Sequence, residues 1–150
     1  MDTFRLPRAE IEAKILLVDG DEITGRVFIP QFGPSGAPGR LVDRLNDEQE
    51  PFVPVSTANG PMLVNTERIL TVRVQEDQDP EDKNAMEVIA VHFRMAGGAT
   101  VAGRVGYSMP AERSRLLDYL NAGPCFLKIE QDHGVVLVQR RFISSVRLSG

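Results

Sequence analysis

The chain runs twice through one pattern, and that internal repeat constrains its fold more than any other feature. Gly25-Arg26-Val27 recurs as Gly103-Arg104-Val105. The stretch Arg40-Leu41-Val42-Asp43-Arg44-Leu45-Asn46 recurs as Arg115-Leu116-Leu117-Asp118-Tyr119-Leu120-Asn121. Leu63-Val64-Asn65 returns as Leu137-Val138-Gln139, and Ile69, Val72 and Arg73 return as Ile143, Val146 and Arg147. The offset drifts from 78 to 75 to 74 along the chain. The length differences therefore fall before and just after a predicted helix, in connections where they cost little. The expected organisation is a first repeat at 9–75, an acidic linker at 76–85 and a second repeat at 86–150.

Each repeat shows the same order of elements. The first strand is expected at 13–18, matching 88–95, and Asp19-Gly20 and Gly97-Gly98 supply the positive φ angles of tight turns. In the second strand Ile23, Gly25, Val27 and Ile29 share one face, as do Val101, Gly103, Val105 and Tyr107, so Arg26 and Arg104 take the other. A short helix carries the stripe Leu41, Val42, Leu45, or Leu116, Leu117, Leu120. Pro110 suits a first helical turn and Ala122-Gly123-Pro124 a stop, whereas the first repeat enters its helix through the Gly- and Pro-rich stretch 30–39. The third strand (52–56, 126–130) holds Pro54 in one repeat and Lys128 in the other. Both residue types mark open sheet edges, so this strand is expected at an edge. The fourth strand (62–65, 135–139) leads through a short turn into the fifth, where Leu70, Val72 and Val74 alternate with Thr71 and Arg73.

Five short strands in a meander, with a turn-sized link before the last, suggest a small barrel of SH3-like or Sm-like type. The run Leu-Val-Asn-Thr-Glu-Arg-Ile-Leu-Thr-Val at 63–72 resembles the closing strand-turn-strand of Sm-like proteins. Those proteins place their helix before the first strand, whereas here it lies between strands two and three. The resemblance implies a fold, and RNA binding is not carried over with it. Each repeat also resembles modules of uncharacterised bacterial proteins that share a Gly-x-Val, Leu-x-Asp-x-Leu-Asn, Phe and Leu-Val-Asn series. That resemblance implies no activity. The fold class is thus mainly β with one short helix per repeat, as tandem duplicated five-stranded SH3-like or Sm-like small barrels.

Charge separates the repeats. Residues 1–75 carry eight basic and eleven acidic side chains, a net of −3. The linker carries one and five, a net of −4, and residues 86–150 carry eight and five, a net of +3. The linker has the composition of a solvated tether. No apolar run approaches the ~18–20 residues that cross a bilayer, and the start, Met-Asp-Thr-Phe-Arg-Leu-Pro-Arg, has no hydrophobic signal core. A single Cys125 forms no internal disulfide, which fits a reducing, cytoplasmic setting.

The residues give no catalytic constellation. His92 and His133 belong to the second repeat, and Leu16 and Asn59 stand in roughly equivalent places in the first. Together with Cys125 they make a poor zinc set, since zinc needs three or four converging ligands. No G-x-S-x-G elbow is present, and the glycines at 33–39 lack the order of a phosphate loop. Asp43 and Asp118 are carboxylates on a helix surface, with Arg40 and Asp43 spaced for an ion pair. No cofactor or metal is expected.

The repeated arginines remain. Arg26 and Arg104 share one strand position, and Arg73 and Arg147 another. They read as cross-strand pairs on a solvent face or as a repeated contact surface. Lys128, Arg140 and Arg141 add to the positive charge of the second repeat. The function expected is a non-enzymatic protein-binding or assembly module, with a protein partner or self-association and no membrane. The alternative is an anion or RNA bound through residues 86–150.

Overall fold

Alternating apolar and polar residues build two long hairpins. In strand β1 (Arg8–Leu17), Ile11, Ala13 and Ile15 are buried while Glu10, Glu12 and Lys14 face solvent. It pairs with β2 (Glu22–Pro30), where Val27 and Ile29 are buried and Arg26 is exposed. Later in the chain β6 (Glu87–Met95) and β7 (Thr100–Tyr107) do the same, with Val91, Phe93 and Met95 inside and His92 and Arg94 outside. Gly20, Gly97 and Gly98 adopt φ of 96°, 84° and 96° in the two connecting turns. The structure is a computed structural model that describes residues 8–30, 39–75, 87–107 and 116–148. The expected linker 76–85, Pro110 and most of the stretch 30–39 lie outside these residues.

The remaining elements follow in the order read from the sequence. Helix α1 (Leu41–Leu45) precedes β3 (Phe52–Thr57), β4 (Gly60–Asn65), one 3-10 turn and β5 (Ile69–Val74). Helix α2 (Leu116–Ala122) precedes β8 (Phe126–Gln131), β9 (Gly134–Gln139), one 3-10 turn and β10 (Ile143–Leu148). Among the described residues the protein is therefore mainly β, with two short α-helices. None of its helices, among the described residues, is long and apolar enough to cross a membrane.

The strands join into one antiparallel sheet of ten, in the order β10-β6-β7-β8-β9-β5-β1-β2-β3-β4. The sheet is not closed, and its hydrogen-bonded ladder runs without a break from one half of the chain to the other. The join is β5 against β9, pairing Thr71 with Val138, Val72 with Leu137, Arg73 with Val136 and Val74 with Val135. Each half uses the same internal order, β5-β1-β2-β3-β4 in the first and β10-β6-β7-β8-β9 in the second.

The expected edge position of the third strand is overturned. The third strand of each half is interior: β3 lies between β2 and β4, and β8 between β7 and β9. The open edges are β4 and β10, which among the described residues have one strand neighbour each. Pro54 is tolerated because the β2–β3 ladder covers only Val55 to Thr57, so no β2 acceptor stands opposite the missing N–H. The second ladder is short as well, since β7 meets β8 only at Ile129 and Glu130, and Lys128 lies just beyond it.

Two apolar cores lie against this sheet. The second is built wholly from the second half, around Phe93, Val105, Leu127 and Ile129. The first draws on both halves: Ile15, Val27, Ile29, Leu41, Leu45, Val55 and Ile69 pack with Phe126, Val135 and Leu137 from across the join. Strand β9 serves both, because Val135 and Leu137 face the first core while Val136 and Val138 face the second.

Candidate docking edges and the junction cleft

The join is fastened by side chains that cap backbone groups. Asn46, just past α1, accepts the N–H of Phe126 at 2.7 Å through Oδ1, and its Nδ2 reaches the Phe126 carbonyl at 3.5 Å. Opposite Phe126, at the last residue of β9, the buried Gln139 amide donates to the carbonyls of Thr66 at 3.1 Å and Ile69 at 2.6 Å. Arg44 donates to the carbonyls of Glu50 and Phe52, both at 2.7 Å, which ties α1 to the start of β3. Cys125 sits beside this join with its thiol 3.5 Å from Glu48 Oε1. Partial burial, then the Glu48 carboxylate, pushes that thiol's pKa above the ordinary range, so it is a poor nucleophile at neutral pH.

Beside the join a cleft of about 620 Å³ opens between β1, β2 and β5 of the first half and the β8–β9 turn of the second. Arg26 and Arg73 both line it, together with Glu12, Lys14, Gln131 and His133. Arg26 lies 3.7 Å from Glu12, with both side chains largely in water. The structure thus brings two of the sequence-selected arginines into one cleft and adds Lys14 to them.

The other selected residues do not converge. Arg104 meets Asp132 at 3.4 Å on an exposed surface. Lys128 lines a smaller cleft of about 260 Å³ that also carries Arg40, Asp43 and Glu130. Arg140 spends its guanidinium on the Leu120 carbonyl at 2.8 Å, tying the last turn to α2. Arg141 lies over the Phe142 ring at 5.3 Å from its centroid. Arg147 stands on the outermost strand opposite His92. The pairing also corrects the position matched to His92: it faces Ala102 as Lys14 faces Thr24, so Lys14 and not Leu16 is its counterpart. Arg40 and Asp43 form the expected ion pair at 2.9 Å.

What sequence reasoning missed is where the surface is apolar. Among the described residues the exposed large apolar side chains are Phe52, Met62, Leu63, Leu117 and Leu148. Three lie on β3 and β4 at one end of the sheet, and Leu148 lies on β10 at the other. A scan for alternation assigns Leu63 and Leu137 the same environment, because only the strand order distinguishes an outer strand from one at a join. No family model matches the chain, and no curated protein or solved structure matches it.

Proposed function

We propose that this chain is a non-enzymatic protein-binding and assembly module that engages its partners through the two open sheet edges. The observation that carries this reading is the coincidence, among the described residues, of open strand edges with exposed apolar side chains at both ends of the sheet. Strand addition draws affinity from main-chain hydrogen bonds and specificity from alternate side chains, and β4 presents both with Met62 and Leu63. In the same reading the chain descends from duplication of one SH3-like or Sm-like barrel module, which the shared internal strand order supports. Its setting is cytoplasmic, where a single thiol stays reduced.

A second reading is favoured by one observation: Lys14, Arg26, Arg73 and His133 line one cleft. On it the protein holds a small anion at the join, rather than through the scattered cations of residues 86–150. Crosslinking tests the edge reading. A photo-reactive amino acid is placed at Leu63, at Leu148 or at Glu12 in the cleft, and the protein is irradiated in cells. Protein adducts from the first two positions and none from Glu12 are expected. Adducts from Glu12 alone would sink the edge reading, and binding of inorganic phosphate that is lost in Arg73→Ala would place a small anion in the cleft.

A further inference from the structure

The join between the halves is head-to-tail, so its two complementary surfaces each occur once more on the molecule, unused among the described residues. The join uses the fifth strand of the first half and the fourth strand of the second. The fourth strand of the first half, β4, and the fifth strand of the second, β10, are the open edges. A contact of this heterologous kind repeats between identical copies, giving a ring if the rotation closes and a filament if it does not.

Burial shows what each unused surface lacks. Leu137 at the join is 3% exposed, and its counterpart Leu63 is 70% exposed. Phe126 is 2% exposed, and its counterpart Phe52 is 54% exposed. The receiving side is unfinished in the same sense. Leu45, Ile69 and Val72 are buried in the first core, whereas Leu120, Ile143 and Val146 are only partly buried against the second. The capping device is repeated as well. Asn46 clamps the Phe126 backbone, and Asn121, its counterpart, is exposed at the end of α2.

We propose, building on the strand-edge reading, that the occupant of these edges is a second copy of this chain. Strand β4 and Phe52 of one molecule complete the second core of the next beside β10, with Asn121 clamping the Phe52 backbone. Carrying the internal pairing over by the offset of 74 sets Ser145 opposite Val64, Val146 opposite Leu63, Arg147 opposite Met62 and Leu148 opposite Pro61 across the contact. The halves bear nets of −3 and +3, so contact between unlike halves is attractive and contact between like halves is opposed. The same docking builds a second cleft, in which the turn at 57–61 of one copy meets His92, Arg104 and Arg147 of the other.

The outer contact is weaker than the inner one. Pro61 stands where Val135 stands and brings no N–H, and Ser144 and Ser145 replace the buried Leu70 and Thr71. Association is therefore reversible and concentration-dependent.

Two single-cysteine variants, Met62→Cys and Arg147→Cys, each made with Cys125→Ser, test the register directly. Under mild oxidation the mixture is expected to form a disulfide-linked pair that neither variant forms alone. Light scattering on the wild-type chain should show mass rising with concentration, and Asn121→Ala should weaken that association about tenfold, the equivalent of roughly 1.4 kcal/mol. Met62→Cys linking to itself would overturn the head-to-tail arrangement in favour of a symmetric one. A chain that stays monomeric at every concentration, with no mixed disulfide, would end the self-assembly proposal. If Leu63 and Leu148 still form adducts with other proteins in cells, the strand-edge reading survives that loss; if they form none, both fail.

Discussion

At the scale of single residues, Gly25 and Gly103 show how a small side chain sets the course of a sheet. A Cβ on Gly25 would press into the Ser56 carbonyl, and one on Gly103 into the Glu130 carbonyl. Both obstacles are backbone, so no rotamer change relieves them. β2 and β3 approach this closely where their short ladder begins, at Gly25 opposite Thr57, and β7 meets β8 one position on. The repeated Gly-x-Val is thus a packing requirement: glycine where the strands touch, valine facing the core, and an arginine between them facing water. Gly103→Ala is expected to cost about 1–3 kcal/mol, the usual cost of overpacking. A lowered urea midpoint with an unchanged denaturant slope is the readout, and wild-type stability would refute the close approach. The arginines are governed less by their strand position than by their surroundings. Arg26 and Arg73 face one cleft, whereas Arg104 meets Asp132 and Arg147 lies at an open edge.

Among the elements, β4 and β9 have nearly the same pattern and very different roles. Both are six-residue strands ending a hairpin, and both pair with the strand before them. Strand β9 gains a second neighbour in β5, and five of its six residues become buried. In β4 only Val64 is buried. Leu137→Ala is therefore expected to cost about 2–5 kcal/mol, as a truncation in a closed core does. The matching change Leu63→Ala should stay within about 0.5 kcal/mol in dilute solution, as surface substitutions do. Equal effects in urea unfolding would contradict the assignment of β4 as an open strand. The positions of these strands were legible from alternation and turn residues, and so were both helices. Their neighbours were not. Pro54 misled because a missing donor fits any position that a short ladder leaves out, and an interior strand can contain one; Lys128 lies on an interior strand just outside the short β7–β8 ladder.

For the molecule as a whole, the two cores are unequal. Every buried member of the second core comes from the second half, while the first core borrows Phe126, Val135 and Leu137 from across the join. If the chain is divided within 76–85, the second half should retain a cooperative thermal transition on its own. The first half should lack one until the second is added, because its core is left open on the side that those three residues close. Dispersed NMR amide signals from the isolated first half would show that its core is self-sufficient and would refute this account. The same asymmetry accounts for the two open ends, since a head-to-tail join satisfies one donor surface and one acceptor surface and leaves one of each.

Local physics in the chain determined the elements. Alternation placed the strands, glycines placed the turns, helical stripes placed α1 and α2, and the recurrence of all three led to the expectation of two similar halves. These features are short-range, so neighbouring residues suffice to specify them. Tertiary structure alone decided which strands are interior, which core is shared and where apolar surface is left uncovered. Those outcomes depend on pairing between residues some 65 positions apart, such as Val72 with Leu137. The preferences of Leu63 and Leu137 are the same; only the presence of β5 beside one of them makes it core and leaves the other at the surface.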